Sequence, residues 1–493
     1  MAEFDLLIIG AGSAGYAAAR VATEELGARV GLVDKGPLGG LCILDGCMPS
    51  KALIQSSNVA HQARTAKEFG IQTGPVLVDF AAVMARKNHL VEGFAAHRAE
   101  SIAELQNTEF ICGEARFVDR TTLVVGERRL TAPRFVLALG STPTVPRIPG
   151  LAECGYLLSD AALKLDTLPA SLIIIGGGVI ALELGQFFAR LGTQVTIVEA
   201  APRLVSREDP EVSEVITRRL RREAVAIHVG VKAVKVEGRG DRKRLYFEHP
   251  TEGPRTVEAE SILVATGREP NVRSLDLEKA GVEMQGRRLV LDRCLRTTNP
   301  AIYAAGDVTG GSFLVHTAIA EGELAARNSL RGCAARPSPE HLFVSAAYTE
   351  PNMARVGLSE AEAREIGREV VVGRYPFSEH GKAEILGETD GFVKLIADPR
   401  SGEILGGTVV GPEGAELIHE IACAITLRAT IEQFLLVPHL HPTLSEIWTY
   451  PAEDILNQIR ARARVPSVLV PAGYNDTDET CAFEALASQG ERR

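Results

Sequence analysis

The chain has 493 residues, enough for about three domains, with 53 Lys and Arg against 63 Asp and Glu and a formal charge of −10. That balance argues against a nucleic-acid partner, which needs a basic face, and 5% aromatics give no stacking platform for single strands. No apolar run suffices to span a membrane, no signal peptide precedes the first strand, and eight cysteines are too few for a disulfide scaffold, so a cytoplasmic setting is expected.

Asp5–Ile9 predicts a strand, Ala14–Leu26 has helical spacing and Val30–Val33 predicts a second strand, a βαβ opening for a parallel sheet. Between strand and helix stands Gly10-Ala11-Gly12-Ser13-Ala14-Gly15. Gly10 permits the tight turn, Gly12 lets a pyrophosphate approach the backbone, and Gly15 allows close helix–strand contact. The helix N-terminus offers amide donors and partial positive charge to phosphates. Asp34 closes the second strand, where a carboxylate accepts ribose hydroxyls. A dinucleotide site is expected here.

Cys42 and Cys47 follow, in Gly39-Gly40-Leu41-Cys42-Ile43-Leu44-Asp45-Gly46-Cys47-Met48-Pro49-Ser50-Lys51. On a straight α-helix their Cα atoms would lie about 8.6 Å apart, whereas a disulfide needs about 4.4–6.8 Å. A bridge therefore requires a bent or irregular helix start, which Gly46 and Pro49 can supply. In a reducing setting such a pair reads as redox or metal-binding. No second Cys/His pair lies nearby for zinc, so no metal is expected.

Thr142 to Gly150, with three prolines, predicts a linker. Ser171 opens a second βαβ unit: a strand over Leu172–Ile175, a helix over Val179–Leu191 and a strand over Gln194–Val198. Gly176-Gly177-Gly178-Val179-Ile180-Ala181 fits G-x-G-x-x-A between the first two. Glu199 ends the next strand, where a carboxylate favours the free 2′-hydroxyl of NAD over the 2′-phosphate of NADP. Arg203 stands close enough to leave room for some NADP use. Thr266 to Asn271 is a turn that leads back to the first domain. Arg336 to Glu340 opens a third, α+β region, with strands over Phe392–Ala397 and Ile404–Val410 and an apolar helix over Glu416–Arg428. From Ala463 runs a tail with one cysteine, Cys481.

The cysteine segment resembles the active-site stretch of the flavin disulfide reductases, the family of dihydrolipoyl dehydrogenase, glutathione reductase and mercuric reductase. The resemblance covers about residues 3 to 460. It implies an α/β fold of two Rossmann-like dinucleotide-binding domains plus a C-terminal α+β dimerisation domain. The expected division is 1–147 for the FAD domain with its redox pair, 148–273 for the NAD domain, 274–340 for the return to the FAD domain, 341–462 for dimerisation and 463–493 for the tail. FAD is expected at Gly10, Gly12, Gly15, Asp34, Lys51, Gly140, Asp307 and Ala318, and NAD at Gly176, Gly178, Glu199 and Gly267. Cys42 becomes the interchange thiol and Cys47 the thiolate under the flavin, with Lys51 near the flavin and paired with Glu183. Leu41, Leu44 and Asp45 depart from the family's usual residues, and Asp45 is expected to disfavour the thiolates. Ile302–Val308 resembles the second FAD segment, and His316-Thr317-Ala318 the segment beside the flavin pyrimidine, with His316 itself read as structural.

His441-Pro442-Thr443-Leu444-Ser445-Glu446 resembles the family's C-terminal segment. Thiol–disulfide exchange needs a base for the attacking thiol and an acid for the leaving one. An imidazole does both near neutral pH, and a carboxylate on its other nitrogen fixes the tautomer. His441 is thus assigned as acid/base and Glu446 as its orienter, with His439 structural. The resemblance implies a homodimer in which this histidine reaches the other subunit's cysteines. The expected activity is that of a dihydrolipoyl dehydrogenase, acting on dihydrolipoamide or a lipoyl-bearing protein with FAD and NAD. The alternative is another NAD(P)H-dependent disulfide or metal reductase, glutathione reductase-like (Arg20 stands where that family has a substrate-contacting arginine) or mercuric reductase-like.

Overall fold

The computed structural model describes residues 3–273, 275–333 and 343–462. The expected tail with Cys481 and the Arg336–Glu340 seam lie outside the described residues.

Leu6–Ile9 is buried along its whole length. Leu6 and Ile8 face a layer with Ala18 and Ala22, while Leu7 and Ile9 face Phe117 and Phe135. Burial on both faces is why the strand is an unbroken apolar run rather than an alternating one. The sheet around it is parallel, in the order Ile302–Ala304, Phe135–Leu137, Leu6–Ile9, Val30–Asp34, Thr108–Cys112. Its first strand arrives from far along the chain, so residues near 302 complete the first nucleotide-binding unit.

The helix expected over Ala14–Leu26 is α-helical only over Ser13–Arg20 and widens to a π turn over Val21–Glu25. The Thr23 hydroxyl donates back to the Ala19 carbonyl at 2.9 Å, a contact that competes with the backbone ladder. Against this small-residue helix lies the helix Val315–Arg331, so close that a Cβ on Gly322 would stand 2.2 Å from the Ala14 carbonyl oxygen.

The second unit repeats the plan with the parallel order Ala226–His228, Gln194–Val198, Ser171–Ile175, Ser261–Val264. The two crossings between units pair with each other. Ser141–Pro143, at the start of the expected linker, runs antiparallel to Arg268–Pro270, in the expected return turn.

The C-terminal region is a five-stranded antiparallel sheet, ordered Val344–Ala347, Asn352–Gly357, Ile404–Gly411, Phe392–Ala397, Val371–Pro376. Its apolar helix runs over Gly414–Thr426, two residues earlier than expected at both ends. Glu413 and Arg428, both at positive φ, bracket it. Among the described residues no helix is long and apolar enough to cross a membrane.

Candidate active site and nucleotide loops

Gly10 has φ +105° and a Cβ there would stand 2.2 Å from the Ala138 carbonyl oxygen. Gly176 has φ +114° and a Cβ would stand 2.3 Å from the Ala265 carbonyl oxygen. In the first loop Asp34 accepts from the amides of Ala11 (2.6 Å) and Gly36 (2.7 Å). In the second, Glu199 accepts from the amides of Gly177 and Ala201. Each carboxylate thus clamps its own glycine loop, a structural duty beyond the expected contact with ribose. Both helices begin with no side-chain cap and no acidic residue in the first turn. Their orphan amides and dipoles suit a pyrophosphate, so the residues present fit two dinucleotides.

The loops differ in what lies over them. A Cβ on Gly40, at φ +65°, would stand 2.6 Å from the Gly12 Cα, whereas nothing lies within 4 Å of a Cβ on Gly178. Gly15 meets the Gly10 carbonyl oxygen at 1.7 Å on the same test, the close contact expected of the third glycine. Arg203 donates to the Glu208 carbonyl at 2.6 Å and lines, with Arg218 and Arg221, a pocket of about 640 Å³.

Gly140 and Gly267 both turn at positive φ in open space beside the inter-unit ribbon. Asp307 accepts from the Ser141 hydroxyl at 2.5 Å, and Ser141 in turn accepts from Arg268 at 2.8 Å. Ala318 is buried where a Cβ on Gly306 would meet it at 3.2 Å. Glu321 accepts from the Gly306 amide at 2.7 Å, and burial, with the Asp307 charge added, pushes its carboxyl up to about 7. Ser141, Arg268 and Glu321 were missed in the sequence; Glu321 falls one helical turn after Ala318, a spacing that could have exposed it. His316 bonds the Val344 carbonyl at 2.9 Å.

The cysteine segment is broken between its two cysteines, as a bridge between them would require. A short helix covers Gly40–Leu44, the chain kinks at Asp45 and Gly46, and a long helix begins at Cys47. A Cβ on Gly46 would stand 3.2 Å from the Cys42 Cα, so glycine is what lets the second cysteine fold back on the first. Pro49 sits in the first turn, where its missing N–H costs nothing. Cys47 opens the helix and is lowered to about 7, chiefly by a hydrogen bond from Cys42, with the Lys51 ammonium assisting and burial opposing. Cys42 is pushed up by donating that bond and by burial. The two thiols are therefore unequal: Cys47 carries the charge and Cys42 the proton.

Lys51 Nζ lies 2.7 Å from Glu183 Oε2 and over the Tyr348 ring at 4.6 Å. Tyr348 donates its amide to Glu183 Oε1 at 2.9 Å. Tyr348 was missed in the sequence, which carries no pattern linking it to a residue 165 positions away. Asp45 is ion-paired with Lys164, so its charge reaches the thiols already countered. Cys294 and Cys333 form a disulfide with Cα atoms 5.8 Å apart across 39 residues, a pairing that the sequence reading did not anticipate. The carboxylates of Asp209, Glu211 and Glu360 gather around the Lys394 ammonium.

His441 Nδ1 lies 2.9 Å from Glu446 Oε2, so the carboxylate holds the Nδ1–H tautomer and leaves Nε2 free to accept a proton. Glu446 Oε1 accepts from the Thr443 amide at 3.3 Å. The next residues, Ile447 and Trp448, are fully buried, and Trp448 Nε1 donates to the Leu417 carbonyl, which anchors the turn. The His441 side chain is 80% exposed, and the hydrogen bonds and ion pairs of this pair all stay within the C-terminal region. His439 is engaged separately by Glu420 at 2.7 Å.

A family model described as pyridine nucleotide-disulphide oxidoreductase matches residues 4–322, and that family's dimerisation domain matches residues 344–452. A mercuric reductase of Bacillus cereus is 37% identical over 430 residues, covering 87% of this chain and 68% of the relative. A dihydrolipoyl dehydrogenase of Geobacillus stearothermophilus is 36% identical over 462 residues, covering 92% and 96%. Among solved structures, the HOCl-induced flavoprotein disulfide reductase RclA of Escherichia coli superimposes with a TM-score of 0.81 at 27% identity, covering 91% of this chain and 99% of that one. LpdA of Mycobacterium tuberculosis gives 0.82 at 27% identity over the same shares.

Proposed function

We propose that this chain, which belongs to the pyridine nucleotide-disulphide oxidoreductase family, oxidises a dithiol of the dihydrolipoyl class with NAD as acceptor. The family is FAD-dependent and works with NAD(P)H. The observation that carries the substrate reading is the 2.9 Å contact between the exposed His441 and Glu446. A dithiol must lose protons to attack a disulfide, and this pair is built to take them. A thiophilic metal ion brings no such proton. Arg20 bonds Glu323 at 2.8 Å, which leaves it less able to serve a glutathione carboxylate.

In this reading His441 Nε2 takes the proton of one substrate thiol. The thiolate attacks Cys42 Sγ, the Cys42–Cys47 disulfide opens, and Cys47 leaves as the thiolate that its helix start and Lys51 favour. His441 then passes its proton to the departing Cys42 sulfur and takes up the proton of the second substrate thiol, which displaces Cys42 as the oxidised substrate leaves. FAD would be held by Gly10, Gly12, Gly15, Asp34, Lys51, Gly140, Asp307 and Ala318, and would supply a two-electron carrier between the thiol pair and the nicotinamide. Lys51 is kept in place by Glu183. Gly176, Gly178 and Gly267 shape the second loop, and Glu199 favours a free 2′-hydroxyl, hence NAD over NADP. Leu436 and Leu440, about 80% exposed beside His441 (81% and 78%), suit a face covered by a second copy. The reading therefore includes a homodimer whose paired histidine serves the partner's cysteines, and a cytoplasmic setting.

The test is a side-by-side steady-state assay of dihydrolipoamide, glutathione disulfide and mercuric ion, each with both nicotinamides. Dihydrolipoamide with NAD is expected to give the highest kcat/KM by at least about tenfold, equivalent to ~1.4 kcal/mol. Mercuric ion matching or exceeding it would move the assignment to the metal reductases, whose identity to this chain is as high.

A further inference from the structure

His380 takes no part in the exchange just described, yet its environment is the least ordinary in the C-terminal region. The residue is 0% exposed, and among the described residues neither ring nitrogen has a hydrogen-bond partner. Buried polar atoms are rarely left so. Its ring meets Phe377 and Tyr450 edge-on, at 6.3 and 6.2 Å, and Tyr450 stacks on Tyr375. The polar group facing it from outside this aromatic wall is Glu446, whose Oε1 lies 3.7 Å from His380 Nε2. The other oxygen of the same carboxylate is the one that holds His441.

Glu446 therefore stands between two imidazoles, one exposed and one sealed. Oε1 has a single long bond, from the Thr443 amide at 3.3 Å, although a carboxylate oxygen accepts two. Closing the gap to His380 takes a movement of only about half an ångström. Burial keeps the His380 ring neutral near pH 7, and a neutral ring can donate one N–H without adding a charge. The titratable groups facing it are Glu446, which favours its cation, and His441, which opposes it; Tyr450 meets it in a T-shaped ring contact.

We propose that His380 is a positioning residue for the acid/base pair: its Nε2–H fixes Glu446 Oε1 so that Oε2 stays aimed at His441. The inference rests on the role given to His441 above. Without His380 Oε1 keeps only its long bond from the Thr443 amide, and Oε2 is held less firmly on His441.

The test uses the holoenzyme and four variants: His380→Leu, His380→Gln, Glu446→Gln and the double variant His380→Leu/Glu446→Gln. The first readout is the titration of the His441 ring by NMR, which needs no substrate. In His380→Leu the His441 pKa is expected to fall by about half to one pH unit. In His380→Gln, which restores an N–H at similar reach, it is expected to return to within about 0.2 of wild type. In the Glu446→Gln background His380→Leu should add nothing, because the residue acts through that carboxylate. The second readout is dithiol kcat/KM, expected to fall about fivefold to tenfold in His380→Leu while NADH-driven reduction of an artificial dye is unchanged. An unmoved His441 titration in folded His380→Leu overturns the proposal. If the leucine variant does not fold, His380→Phe against His380→Gln asks the same question, and equal titrations overturn it. A shifted titration in an enzyme that does not turn over dihydrolipoamide would sink the substrate reading and leave this one standing.

Discussion

Gly12 and Gly178 hold the same place in two loops built alike, each with a positive-φ glycine under a neighbouring carbonyl and a carboxylate clamping the loop amides. Yet Gly12 lies under Gly40, at the start of the cysteine segment, while Gly178 faces open space. The first loop is closed by the same stretch of chain that carries the redox pair, whereas among the described residues nothing stands within 4 Å of a Cβ on Gly178 in the second. In the function proposed above, one backbone solution serves two purposes: a cradle whose filling is coupled to the placement of Cys42 and Cys47, and a site from which a nucleotide can leave.

The comparison breaks most visibly at the two glycines. Gly40→Val combines a strained φ with a collision against backbone, and the purified protein is expected to hold less than about a tenth of the wild-type flavin by absorbance. Gly178→Ala, at an ordinary φ of −83°, should keep full flavin and raise the nicotinamide KM about twofold to fivefold, a loss of contact rather than of fold. Equal flavin loss in both would erase the distinction. A smaller effect sharpens the cradle's chemistry. Cys42→Ala removes the hydrogen bond that does most to lower Cys47, so its titration should rise from about 7 toward the ordinary 9.0. Between those limits wild-type Cys47 is mainly thiolate and the variant mainly thiol. At pH 8 thiolate absorbance in the reduced protein should fall about tenfold. The smallest effect belongs to Asp45, whose charge Lys164 counters. Asp45→Val should move the dithiol potential by less than about 15 mV, and a shift several times larger would restore the expectation that this carboxylate disfavours the thiolates.

Residues under short-range geometric constraint were legible in the sequence. The glycines, Asp34 and Glu199 announce their loops because a tight turn, a close approach and a strand end fall at set spacings. A bend followed from helix geometry once the two cysteines were taken to bridge, since five residues on a straight helix hold them too far apart; Gly46 supplies it, whereas Pro49, the other expected source, lies inside the helix that begins at Cys47. His441 and Glu446 are five residues apart and meet within one turn of chain. Groups joined only by tertiary folding stayed hidden: Tyr348 on Glu183 across 165 positions, Arg268 through Ser141 to Asp307 across 127 and 166, and His380 against Glu446. No local propensity or periodicity encodes such meetings. The Cys294–Cys333 bond escaped for the same reason, its 39-residue separation matching no short-range pattern.

Peptide mapping with a thiol-alkylating reagent, before and after anaerobic addition of NADH, tests most directly whether the cysteine pair is the electron relay. The account predicts that Cys42 and Cys47 resist alkylation in the oxidised protein and become labelled together after NADH, while labelling of Cys112, Cys154 and Cys423, which like Cys42 and Cys47 are free thiols in the structure, does not change. Equal labelling of Cys42 and Cys47 before and after NADH would contradict it.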